Sequence, residues 1–185
     1  MTTTILQLWA EGLAPGWDGL FRADGSARAV ELGGGARRDW FDLGPPLDLD
    51  AMLGEDPDNV THVDIVRGAD VPIPDGSGYV CGGDGAHGSE GFFARLDKDR
   101  NLIWIAALTD SNPFEKAEAC GRLATFTNKL RQLGDGRSGP SRLRLSPLAH
   151  RQRAGEDSLG CWWRHLVPIL RICRRQSAAP GLLTA

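Results

Sequence analysis

GYVCGGDGAHGSEGFFARLDKDRNLIWIAAL, residues 78–108, holds three apolar runs separated by two turns. Tyr79-Val80-Cys81 enters a glycine-rich segment, residues 92–96 (FFARL) leave it, and residues 102–108 (LIWIAAL) follow the tight turn Asp97-Lys98-Asp99-Arg100-Asn101. Short runs rich in aromatic and β-branched residues, bounded by Gly, Asp and Asn, read as strands, and their close succession predicts a β-meander.

Outward from this core the same pattern repeats. Residues 17–22 and 27–32 are candidate strands joined by Ala23-Asp24-Gly25-Ser26, a hairpin signal because glycine accepts positive φ at little steric cost. Residues 39–43 predict a short fourth strand, 60–66 (VTHVDIV) alternate with period two, and 71–74 (VPIP) read as an extended edge, since proline cannot donate to a ladder. Residues 116–120 and 123–127 flank Gly121-Arg122 as a final hairpin. At the start, residues 4–9 (TILQLW) are expected as a strand with Ile5, Gln7 and Trp9 on one face and Thr4, Leu6 and Leu8 on the other. Pro45-Pro46 breaks the pattern. Residues 47–53, with Gly54 behind them and Asp48 or Asp50 as cap, predict the one short helix. The expected fold is mainly β: a single antiparallel sandwich or open-barrel domain over residues 1–130 with one short helix, followed by an irregular basic tail over 131–185.

Charge marks the same boundary. Residues 1–135 carry 12 Lys and Arg against 22 Asp and Glu, net −10, whereas residues 136–185 carry nine Arg, no Lys and two acids, net +7. Arg137, Arg142, Arg144, Arg151 and Arg153 fit a nucleic-acid-binding arm, because arginine neutralises and pairs with phosphate. Arginine without lysine, scattered proline and no amphipathic period are equally the mark of a GC-rich gene read out of frame. One set of codons permitted for residues 131–137, CGG CAA CTC GGT GAC GGT CGA, gives Gly-Asn-Ser-Val-Thr-Val-Asp when read one nucleotide later with a permitted base completing the last codon, a turn followed by a strand. The tail therefore has two readings, a genuine basic arm and a frameshift product.

The first residues, MTTTILQLWAEGLAPGW, lack the basic and apolar regions of a secretory signal, and the apolar run 161–173 is interrupted by Arg164, His165 and Arg171. A cytoplasmic protein with no membrane span is expected. Cys81, Cys120, Cys161 and Cys173 have no CxxC spacing and read as free thiols.

Residues 78–104, and GFFARLDKDRNLIW within them, resemble one hairpin of the bacterial β-propeller repeats, where such a segment forms two inner strands of a blade. No second copy is present, and a ring needs several blades, so the resemblance implies the hairpin and no activity.

Cys81, Asp84, His87 and Glu90 are spaced by threes in a glycine-rich loop. Such donors suit a zinc ion, and a Cys81–His87 pair would generate a nucleophilic thiolate. The alternative is a surface loop with Cys81 tucked into the sheet. Residues 97–101 open like an EF-hand calcium loop, but Leu102 stands where that loop needs glycine. His62 reads as structural, Trp9, Trp17, Trp40, Phe92, Phe93 and Trp104 as packing residues, and Asp48, Asp50, Glu55, Asp56 and Asp58 as a solvated face. The expected function is that of an acidic, cytoplasmic, non-enzymatic protein-binding domain, in one version an immunity-type protein neutralising a basic partner, with no cofactor. The alternatives are a small hydrolase-like or metal-binding protein using Cys81, Asp84 and His87, and nucleic-acid binding through the arginine tail.

Overall fold

A computed structural model describes residues 2–33, 40–86, 88–121, 123–128 and 141–145. Twelve strands and two short helices follow in the order α1 (Thr4–Ala10), β1 (Leu13–Pro15), β2 (Gly19–Arg22), β3 (Ala27–Gly33), β4 (Trp40–Leu47), α2 (Leu49–Glu55), β5 (Val60–His62), β6 (Asp64–Pro72), β7 (Tyr79–Asp84), β8 (Gly91–Leu96), β9 (Leu102–Leu108), β10 (Phe114–Cys120), β11 (Leu123–Asn128) and β12 (Ser141–Leu145). The protein is mainly β. Its largest element is an open antiparallel sheet of seven strands in the order β4-β3-β2-β9-β8-β7-β6, accompanied by a β10-β11-β12 sheet and a β1-β5 pair.

Period two sorts the central side chains onto two covered faces. On β8, Phe92, Ala94 and Leu96 join one apolar cluster while Phe93 joins the other, and on β9 Ile105 and Ala107 oppose Ala106 and Leu108 in the same way. The first face is covered by α1 and α2 through Ile5 and Leu49. The second is covered by the smaller sheet through Phe114, Ala117, Ala124 and Phe126. There Phe93 stacks on Phe126 with ring centroids 4.9 Å apart and meets Phe114 edge-on at 5.4 Å. The continuous apolar runs of β8 and β9 are what two buried faces require.

Three expectations need correction, the first being that Pro45-Pro46 breaks the strand pattern: β4 runs through both to Leu47. Residues 4–9 are helical, so the described residues hold two short helices. Ile5 and Trp9 lie four residues apart and so share a helix face, with Ile5 buried and Trp9 edge-on to Phe92 at 6.2 Å. The run 60–66 is broken at Val63, whose N–H donates to the Gly12 carbonyl at 2.9 Å, so β5 pairs with β1 while β6 joins the large sheet. The expected hairpins are present at β2–β3, β8–β9 and β10–β11.

Each end of the large sheet is irregular. Pro45 and Pro46 lie within β4, where an edge strand tolerates the missing N–H, and Arg28 donates twice to the Gly44 carbonyl, at 2.9 and 2.6 Å. On β6, residues 66–69 stand against the single residue Gly82 of β7, a wide bulge that turns Gly68 towards the Glu115 carbonyl of β10. Ser141–Leu145, inside the stretch read as tail, pairs antiparallel with β11, while the remaining tail residues lie outside the described ones.

Candidate functional site

The loop between β7 and β8 is held by hydrogen bonds that link distant parts of the sequence. Thr61, buried on β5, accepts from the Ala86 N–H at 2.8 Å and donates its hydroxyl proton to Glu90 Oε2 at 2.5 Å. The Gly85 N–H closes the loop on the Glu90 carbonyl at 3.2 Å. Beside this pair is a cavity of about 10 Å³, bordered by Ala14, Phe92 and Thr109. It has room for about one water and is far below the several hundred Å³ of a small-molecule pocket.

The described donors of this segment do not share one environment. Cys81 is fully buried in the apolar cluster under the helices, and burial pushes its thiol up to about 12, with Asp70 adding to the rise. Three residues further along the strand, Asp84 falls on the opposite face. Burial also raises the Asp84 carboxyl, Asp64 and Glu90 add repulsion, and the Gly85 N–H opposes the rise. Asp64 is its partner across the β6–β7 ladder, and one Asp84 oxygen, Oδ1, is buried without a hydrogen bond. His87 lies outside the described residues. Among the described residues no group of three or more His, Cys, Asp and Glu is placed to hold a metal ion.

The calcium-like segment has another use for its carboxylate. Asp97 accepts from the N–H groups of Asp99 and Asn101, both at 2.8 Å, and from Asn101 Nδ2 at 2.9 Å, and the Asn101 bonds lead in holding its carboxyl low. Arg100 takes φ 66° at the turn and reaches back to Asp70 at 2.6 Å and over the Tyr79 ring at 4.5 Å.

The second candidate is a surface. Residues 39–66 contain eight Asp and Glu and no Lys or Arg. Asp48 caps α2 by accepting from the Ala51 N–H at 3.1 Å, and Asp50 sits in the first turn, where the helix dipole favours an anion. Asp48, Asp50, Glu55, Asp56 and Asp58 are all exposed. α2 leads through these residues to β5, and from there Asp64 meets Asp84 across the ladder. The ion pairs Lys98–Asp99, Arg100–Asp70 and Lys116–Glu118 all lie on other segments.

His62 is exposed on β5. Arg142 and Arg144 occupy β12 positions paired with Thr127 and Thr125, while Arg137, Arg151 and Arg153 lie outside the described residues. Sequence reasoning missed Thr61, because its partners are 25 and 29 residues away and no local pattern marks them. No helix among the described residues is long and apolar enough to cross a membrane. No family model, curated protein or solved structure matches the chain.

Proposed function

We propose that this is a non-enzymatic binding protein that uses the acidic segment from Asp48 to Asp64 to engage a basic protein partner. The observation that carries the reading is the run of exposed carboxylates on α2 and the turn behind it, within 28 residues that hold no Lys or Arg. Such a field attracts cationic surfaces over a distance of about a Debye length, roughly 8 Å at physiological salt, and accelerates encounter. Neutralisation of a basic toxin by an immunity-type protein is the biological form that suits it. A cytoplasmic setting accords with the free thiols of Cys81 and Cys120.

The test is binding of a lysine-rich peptide at low and high salt by the protein and by a Glu55→Lys, Asp56→Lys, Asp58→Lys variant. These exposed substitutions are expected to leave stability within about 0.5 kcal/mol each and to reduce binding at least tenfold at low salt, a difference that salt removes. Undiminished binding by the triple variant refutes the assignment of the surface.

A further inference from the structure

We propose that the strand native to the third position of the smaller sheet is encoded one nucleotide out of the written frame, immediately after Leu130. β11 sets the constraint. Its buried residues Ala124 and Phe126, and Asn128 after them, alternate with half-buried Leu123, Thr125 and Thr127, so any strand paired with β11 must place every second residue against the large sheet. β12 shows where such a strand lies, with Leu143 opposite Phe126 and Ser141 opposite Asn128.

The route to β12 is unlike the other hairpins. Two to six residues join the other successive antiparallel pairs, β2–β3, β3–β4, β6–β7, β7–β8, β8–β9 and β10–β11, whereas twelve, residues 129–140, separate β11 from β12. Hairpin connections of two to five residues are the norm. The departure coincides with the change of composition: no lysine follows Lys129, and the acidic chain turns basic.

A reading one nucleotide later that the codons of residues 131–137 permit removes the anomaly. With the codons given above it continues, after Lys129 and Leu130, as Gly-Asn-Ser-Val-Thr-Val-Asp. A three-residue connection, Leu130-Gly-Asn, puts Asn in the left-handed position that it tolerates. The first Val then pairs with Asn128, Thr with Thr127, the second Val with Phe126 and Asp with Thr125. Both valines fall on the buried side, and Thr and Asp fall on the other. Asn128, whose side chain donates to the Ser111 carbonyl while its Oδ1 is buried without a partner, lies at the start of this ladder. On this reading the arginines beyond residue 130 are not a binding arm.

The test is to sequence the gene across codons 128–138, read the shifted frame to its stop, and express the written and shifted chains in full. The shifted frame is expected to stay open with apolar residues at the two buried positions, and its chain to melt about 5 °C or more above the written one. A stop within those codons, charged residues at the two positions, or a written chain that melts as high as the shifted one overturns the proposal.

Discussion

Replacing Phe126 by Ala tests the contact that joins the two sheets. The side chain is fully buried, stacks on Phe93 at 4.9 Å with 26° between the planes, and lies 6.0 Å from Phe114. Truncating a buried Phe costs about 3–5 kcal/mol through lost transfer energy and the cavity left behind. That is a large part of the roughly 5–15 kcal/mol by which native domains exceed their unfolded states. In urea, with an m-value of about 2 kcal/mol/M, the midpoint is expected to fall by about 1.5–2.5 M. Phe93→Ala should be non-additive with it, with a coupling of about 0.5–3 kcal/mol. Ile5→Ala, in the cluster on the opposite face, should add independently. A loss below about 1 kcal/mol for Phe126→Ala, or strict additivity with Phe93→Ala, would mean that the smaller sheet does not rest on the larger one as described.

Three further outcomes are expected. Because burial and then Asp64 raise the Asp84 carboxyl in the folded chain, folding favours its protonated form, and stability falls as pH rises from the unfolded value, about 3.9, through the raised one. Asp84→Asn should therefore raise the melting temperature at pH 7 and not at pH 3, and an unchanged or lower value at pH 7 contradicts the assignment. Cys120 is exposed and Cys81 buried with its thiol raised to about 12, so a thiol reagent should label Cys120 in the native protein and Cys81 only on unfolding; rapid labelling of Cys81 would place it outside the core. At Gly83 an added Cβ would lie 1.8 Å from the Asp64 carbonyl oxygen, so Gly83→Ala should cost about 3 kcal/mol or more in thermal unfolding, and a neutral result would remove the close approach of β6 to β7.

The meander was legible because Phe92, Phe93 and Ala94 offer apolar surface to both sides, which a strand buried on two faces needs and a surface helix does not. α1 was not legible as a helix. Ile5 and Trp9 suit a helix face and a strand face alike, and no acid marks its first turn. The Thr3 hydroxyl, placed to cap α1, donates instead to the Ala23 carbonyl at 2.9 Å, a tertiary contact that no local pattern reveals. The break at Val63 was hidden because 60–66 keeps its alternation while the backbone changes partner. Of the loop donors, the sequence showed spacing, and spacing along a strand does not bring side chains to one point: Cys81 and Asp84 part to opposite faces. The acidic residues of 48–58 were visible as composition, whereas the Thr61–Glu90 bond required the tertiary fold.

The prolines of β4 bear on how this protein behaves when crowded. A sheet recruits further chains by offering alternating N–H and C=O groups at its margin, much as a growing crystal offers a step. At Pro45 and Pro46 there is no N–H to offer, and the neighbouring Gly44 carbonyl is already engaged by Arg28 from inside the molecule. At the far margin β6 bulges against β10. The seven-stranded sheet is thus a poor seed at both ends, and fibrillar growth, where it occurs, is expected to start from the smaller sheet.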